Sequence, residues 1–366
     1  MAKADVTVLN VLVATPGGGT GQGGIDRIMT SLRTEAERQQ RPDLCIRFAA
    51  TRGNGPLIFS IWHMSVFIVQ MLVLRLTGQL DVVHLNLAVS GSTWRKLILA
   101  WFAHALGVAY IVHLHGSEYQ DYWTTEPNRR NRAINWLFGH AGRVIVLGTM
   151  WREMVLERLP ALDLRLLIVP NAAPRPVLEH RGGGNLVHIL FLGRLGDRKG
   201  VPQLGEALGR MRGDPGWRAT IAGDGHIEAA RGKAREMGLS DRVDIPGWVG
   251  PAGVAELLAG ADIMVLPSFH ENLPISIIEA MAAGLAIVTT PVGAVEDIVT
   301  DQINGLLVTP GDVDALTAAL SRLVADADLR ARLGNAARDV HRARLDMEVY
   351  LEAMTQAWRG AANASY

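Results

Sequence analysis

Two glutamates eight residues apart, Glu271 and Glu279, bracket the start of a predicted helix in LPSFHENLPISIIEAMAAGLAIVTTPVG. Pro274 in the first turn suits a helix start, because its ring presets the backbone angle. Glu279 then projects from the second turn, and Glu271 lies just before the free backbone N–H groups of Asn272 and Leu273. One carboxylate can bond the hydroxyls of one sugar and the other those of a second, with phosphates on the helix terminus between them. A nucleotide sugar carries its groups in that order. Capping and dipole compensation account for one glutamate at such a place, not for two. A cationic couple accompanies them: FLGRLGDRKG puts Arg194 and Lys199 in the loop after a predicted strand. There they can bind donor phosphates and neutralise the charge of a departing diphosphate, each charge-assisted hydrogen bond being worth roughly 1.5 to 3 kcal/mol.

Near the N-terminus, VATPGGGTGQGGIDRIM contains Gly19-x-Gly21-x-x-Gly24. A dinucleotide turn places its first glycine at the strand end and an acidic residue about 20 positions later. Here Thr15 to Gly18 intervene, and the second strand ends RFAATRGN, with Arg52 where Asp or Glu is wanted. NAD binding is therefore not expected. A loop with almost no side chains before a helix still brings backbone N–H groups close to an anion, and a diphosphate suits it. In IVHLHGSEY, His115 and Gly116 end a strand, where ligands of α/β sheets bind. His113, two residues earlier, points to the same side and is the alternative to His115.

These residues require strands that end at one edge. Near-continuous Val/Ile/Leu runs at 6–14, 44–50, 81–87, 109–115, 143–148 and 165–170 alternate with helical patterns, as in a parallel sheet buried on both faces. The segment 171–185, NAAPRPVLEHRGGGN, breaks the rhythm as a linker would. The pattern then restarts with strands at 187–193, 217–223, 242–247, 262–268, 285–290 and 305–310. The expected class is α/β: two Rossmann-like, doubly wound parallel-sheet domains, 1–170 and 186–345, facing a cleft, with a C-terminal helix at 346–366 packing back on the first.

GRLGDRKG, AGDG at 222–225, PGWVG at 246–250, Glu271-x7-Glu279 and NGLLVTPGD at 304–312 together resemble the retaining glycosyltransferases of family 4, which have the GT-B fold. The likeness runs over essentially the whole chain and is most specific at 186–320. It implies an N-terminal acceptor domain and a C-terminal domain for a UDP- or GDP-sugar. It gives Glu271 the hydroxyls of the transferred sugar, Glu279 the ribose, and Arg194 and Lys199 the phosphates. Gly23 and Gly24 match the glycine-rich first loop, and Gly223 belongs to the AGDG stretch. Gly247, Trp248 and Val249 match the loop near the base, while Asn272, Leu273 and Pro274 line the donor. Asn272 stands where many members have Gly. The same likeness assigns His115 to the transferred sugar; Glu118, close to it in sequence, and His113 are the candidate acceptor contacts. It also implies that the leaving phosphate helps deprotonate the attacking hydroxyl on the same face.

Lys+Arg and Asp+Glu balance at 36 each, so no nucleic-acid partner is expected. Residues 1–170 nonetheless carry 17 basic and 12 acidic side chains, the remainder 19 and 24. A basic surplus on one face suits an anionic membrane or a phosphorylated acceptor. The apolar segment 57–76 approaches the length of a membrane span, yet Ser60, His63, Gln70 and Thr77 share one stripe. It is expected to cover the first sheet, the alternative being contact with a membrane interface. One cysteine and an opening MAKADVTVLNVLVA that reads as a strand place the chain in the cytoplasm, peripheral at the inner membrane if that contact is made. Asp-x-Asp at 312–314 and 326–328 reads as helix caps, so no metal or other cofactor is expected. Expected partners are a nucleotide sugar and a glycan or lipid-linked acceptor. A nucleotide-sugar epimerase or hydrolase of the same fold and a non-catalytic nucleotide-sugar-binding protein are the alternatives.

Overall fold

A computed structural model describes residues 8–18, 23–53 and 58–364. Gly19 and Gly21 of the first loop lie outside the described residues. The chain divides into two units, Met1–Asn171 with Met347–Tyr366, and Ala172–Asp346.

The first unit runs β1 (Leu9–Thr15), α1 (Gly24–Arg38), β2 (Leu44–Ala50), α2 (Phe59–Leu76), β3 (Val82–Leu87), α3 (Gly91–Ala105) and β4 (Ala109–Leu114). It continues with α4 (Tyr119–Tyr122), α5 (Arg129–Gly139), β5 (Arg143–Val146), α6 (Thr149–Arg158) and β6 (Leu166–Ile168). All strand pairs are parallel, in the order β2-β1-β3-β4-β5-β6. β3 and β4 are buried along their whole length, which is why their apolar runs do not alternate.

The second unit repeats the plan. It contains β7 (Val187–Leu192), α7 (Val201–Arg210), β8 (Trp217–Ala222), α8 (Ile227–Glu236), β9 (Val243–Gly247), α9 (Pro251–Ala259) and β10 (Ile263–Leu266). Then follow α10 (Ile275–Ala283), β11 (Ala286–Thr289), β12 (Leu306–Leu307), α11 (Val313–Ala325) and α12 (Ala327–Val340). Its parallel order is β12-β11-β10-β7-β8-β9. The final helix, α13 (Met347–Ala362), belongs to the first unit and packs on α1, β3, β4 and β5. Its buried residues Met347, Tyr350, Leu351, Met354, Trp358 and Ala361 recur at helical spacing, one apolar stripe against the sheet.

The stretch read as a linker changes unit at Asn171, and its later part is tied to the second unit: Arg181 N–H donates to Ala259 O at 2.7 Å and Gly183 N–H to Asp262 at 2.9 Å. One expectation needs correction: α2 does not lie buried. Only Met64, Phe67, Met71 and Leu74 face inward, and the stripe with Ser60, His63 and Gln70 lies toward the domain beside them. The segment has more apolar residues than one inward face can hold.

Candidate active site

In each sheet the strand order reverses at one point, between β1 and β3 in the first and between β10 and β7 in the second. The crevice at the carboxyl ends beside such a point is where α/β sheets bind ligands. At the second, Lys199 Nζ donates to Glu271 Oε1 at 2.5 Å. The lysine closes a short 3-10 turn after β7, and the glutamate sits in the loop after β10. Both side chains are largely buried, 14% and 9% exposed. Two backbone contacts bring the loops together. Phe269 N–H donates to Arg198 O at 2.9 Å, and Ala294 N–H donates to Asn272 O at 2.7 Å. The second is possible because Gly293, at φ 62°, has no side chain; a Cβ there would run into the carbonyl oxygens of Glu271 and Asn272.

The neighbouring strand ends carry the rest. Gly223 N–H donates to Gly247 O at 2.8 Å, joining the ends of β8 and β9. A Cβ on Gly223, at φ 152°, would collide with Gly193 O at the end of β7. Trp248 stands 56% exposed just past β9. Arg194 is exposed after β7, with no hydrogen bond or ion pair among the described residues. Pro274 is the cap of α10 and not part of its first turn, and Glu279 falls on the second turn, half-buried. Arg194, Lys199, Gly223, Gly247–Val249 and Glu271–Pro274 thus occupy the carboxyl ends of four adjacent parallel strands.

The first unit presents a run of buried imidazoles. Trp358 Nε1–H donates to His84 Nδ1 at 2.9 Å, so His84 carries its proton on Nε2, facing His113 Nδ1 at 3.3 Å. The His113 and His115 rings lie 4.0 Å apart, centre to centre. Asn86 Nδ2–H donates to Ala14 O, which turns its Oδ1 toward His115 Nε2 at 2.9 Å. His115 is the donor there, leaving Nδ1 as an acceptor. Burial, with His84 and Lys96 nearby, pushes its pKa down to about 3, and burial takes His84 to about 4 and His113 well below the ordinary range. All three are neutral at physiological pH.

Close to them a lysine is buried. Lys96 is 1% exposed and donates to Thr51 Oγ1 at 2.9 Å. Burial and Arg95 lower its pKa to about 7, against an opposing pull from Asp26. Asp26, in the first turn of α1, accepts from Gly17 N–H at 3.0 Å and anchors the start of the glycine loop. Gly23 is the cap of α1 and Gly24 its first residue, and among the described residues a Cβ on Gly23 would meet nothing within 4 Å.

Comparison with known proteins gives this geometry its class. Residues 4–172 match the family model of the glycosyl transferase 4-like domain, and 180–340 that of the glycosyl transferases group 1. The chain belongs to the glycosyltransferases. It is 29% identical over 334 residues to a 2-deoxystreptamine N-acetyl-D-glucosaminyltransferase of Streptomyces fradiae, covering 80% of this chain and 76% of that one. The lipopolysaccharide core biosynthesis glycosyltransferase LpsE of Rhizobium meliloti is 32% identical over 169 residues, 46% of this chain and 48% of its own. HepE of Anabaena in complex with UDP-glucose superposes with a TM-score of 0.73 at 16% identity, covering 96% and 99% of the two chains. At that identity the likeness is one of fold, GT-B.

Within this glycosyltransferase, the residues read from the sequence fall at the strand ends of their own units, with two refinements. Lys199 and Glu271, assigned separately to phosphate and sugar, meet each other. His113 is 0% exposed, so it supports the His115 ring and offers no surface to an acceptor. Glu118 is exposed at the start of α4. Asp312 and Asp326 cap α11 and α12 by accepting from Ala315 and Leu329 N–H. Sequence reasoning missed His84, Asn86, Lys96, Asp26 and Gly293. Lys96 had left a signal, since it shares helical spacing with the buried Thr93, Leu99 and Ala103.

Proposed function

We propose that this glycosyltransferase is a retaining, metal-independent hexosyltransferase that moves a sugar from a UDP- or GDP-sugar to a glycan or lipid-linked acceptor in cell-surface polysaccharide synthesis. The observation that carries the reading is the Lys199–Glu271 pair at the switch point of the second sheet. A nearly buried carboxylate held by a lysine is aimed before any ligand arrives. When a donor binds, the ammonium passes to its diphosphate beside Arg194, and Glu271 takes the hydroxyls of the transferred sugar. Glu279 takes the ribose, the backbone from Asn272 to Pro274 and the turn at Gly223 line the donor, and Gly247–Val249 flank the base. In the first unit the Gly23–Gly24 helix start suits phosphate. The neutral Nδ1 of His115 suits a sugar hydroxyl as its donor, and Glu118 is assigned to the acceptor.

In the transfer, the bond from the anomeric carbon to the phosphate oxygen breaks and a bond to the acceptor oxygen forms on the same face. The hydroxyl proton goes to the leaving phosphate. A covalent route needs a carboxylate at the anomeric carbon, and both glutamates are assigned elsewhere. The names of relatives support the reading: LpsE builds lipopolysaccharide core, and HepE was seen with UDP-glucose.

A thermal-shift series with UDP, GDP and their sugars, all in EDTA, tests it. At one hundred times its Kd, a ligand stabilises by about 2.7 kcal/mol, a melting rise of several degrees. One nucleotide series is expected to give that rise. No rise with any of them in EDTA, or turnover of the sugar nucleotide that is indifferent to acceptor, defeats the proposal.

A further inference from the structure

An ordinary surface helix turns its apolar stripe inward, but α2 keeps most of its apolar surface outside. Ile58, just before it, and Ile61, Trp62, Val69 and Leu76 are each more than half exposed. The neighbouring α3 continues the surface with Trp94, Ile98 and Trp101, exposed by 46%, 48% and 56%. Between α3 and α5 runs an apolar groove of about 430 Å³, lined by Leu97, Ile98, Trp101, Ala133 and Trp136. Three consecutive right-handed crossovers put α2, α3 and α5 on one side of the sheet, and α3 packs against both of the others. Apolar surface this continuous is rare on a soluble monomer and marks an interaction site.

We propose that this face of the first unit docks on an anionic lipid surface. The charges select that occupant. Together α2, α3 and α5 carry Arg75, Arg95, Lys96, Arg129, Arg130 and Arg132 and no aspartate or glutamate. Arg75, Arg129 and Arg132 are exposed, so anionic headgroups would meet cations at the rim of the apolar surface. A second copy pairing through the same face would oppose like charges across the twofold axis. The indoles of Trp62, Trp94 and Trp101 suit the boundary between headgroup and acyl chain, and the groove has the chemistry and room to take part of a chain.

The contact lies on the membrane and does not cross it. α2 is long and apolar enough to span, with a mean hydropathy of 1.6. Yet Met64, Phe67, Met71 and Leu74 hold it to the domain, and a span would have to withdraw all four. This inference does not depend on the donor or on the glycosyl transfer proposed above.

Flotation of the full chain with vesicles of phosphatidylcholine, alone or mixed with phosphatidylglycerol, tests it. The chain should float with the mixed vesicles, less with the neutral ones, and less again as salt rises. Replacing Ile61, Trp62 and Leu72 by serine should lower partitioning by about 100-fold, since each substitution removes apolar area from the contact. Because these side chains are exposed, the melting temperature should stay within a few degrees. Arg129→Glu with Arg132→Glu should weaken binding to the mixed vesicles only. The proposal is overturned if the unaltered chain floats with neither vesicle, or if the triple variant floats as well as the parent. It is equally overturned if sedimentation finds a dimer that the triple variant abolishes while flotation is absent.

Discussion

The two sheets bring opposite chemistry to the ends of their strands. At the second, a lysine and a glutamate form a nearly buried ion pair, with an exposed arginine on the lysine's own loop, and glycines let the loops touch backbone to backbone. At the first, three histidines form a neutral column from Trp358 to His115, its last ring fixed as an acceptor by Asn86. The ion pair and its arginine suit a ligand that carries both charged oxygens and hydroxyls, whereas the imidazole column suits hydroxyls alone. On the proposed reading, the second sheet takes the diphosphate together with hydroxyls of the donor, and His115 accepts from a hydroxyl of the transferred sugar. The same fold has thus been given two electrostatic characters, by loop residues at the second sheet and by strand residues with Trp358 of α13 at the first.

The sharpest way to break the comparison is to remove the charge from one member of the ion pair. Glu271→Gln keeps the shape, leaves Lys199 largely buried without its carboxylate, and takes from the sugar its principal acceptor. Transfer should fall by about 10³-fold, the scale of losing one preorganised electrostatic contact in a water-poor site. Circular dichroism should still report the α/β fold. Transfer within threefold of the parent would show that the pair is structural and that the sugar is held elsewhere.

A smaller effect, on stability, is expected from Gly223→Ala. Its φ of 152° and the nearby Gly193 carbonyl leave no room for a methyl group, so the β7 and β8 loops must separate. A cost of about 3 kcal/mol is expected, from backbone strain and disturbed loop contacts, measured by urea unfolding. Gly23→Ala, where a methyl group meets nothing within 4 Å among the described residues and the backbone is extended, should cost well under 1 kcal/mol. Equal costs at the two positions would remove the contrast between the interlocked Gly223 turn and the Gly23 helix start.

Much of this was readable from the residues, for reasons that also explain the failures. Each expected strand is present, because an apolar run of six to nine residues between turn formers has few other fates in an α/β chain. The ends were overrun: GLLVTP contracts to Leu306–Leu307, since apolar residues continue past the last ladder bond. Glu271, Glu279, Arg194 and Lys199 were legible because each sits close to a strand end or a helix start. Their bonding was not. The Lys199–Glu271 contact joins loops 72 residues apart and depends on Gly293 and on the Phe269–Arg198 bond. The His84–Trp358 bond spans 274 residues. For α2, an apolar arc broader than any one contact left its orientation undetermined, and tertiary packing turned the polar stripe inward.

The histidine column supplies the mildest and most specific test, because its expected signature is a slope. In the unfolded chain, His84, His113 and His115 each take up a proton near the ordinary value of 6.5. In the folded chain, burial holds His84 to about 4, His115 to about 3 and His113 lower than 6.5 by a wide margin. Below pH 6.5 the unfolded state therefore binds more protons, and stability declines as pH falls. Each histidine contributes about 1.4 kcal/mol per pH unit there. His188 and His341 in the second unit are lowered by burial too, so the slope of the whole chain is shared. A variant separates the contributions. His113→Asn removes one titrating ring from the column, and urea midpoints between about pH 6 and pH 5 should flatten by about 1.4 kcal/mol per unit against the parent. An unchanged slope would mean that His113 is protonated in the fold and that the column carries charge. The electrostatic contrast between the two sheets would then be lost.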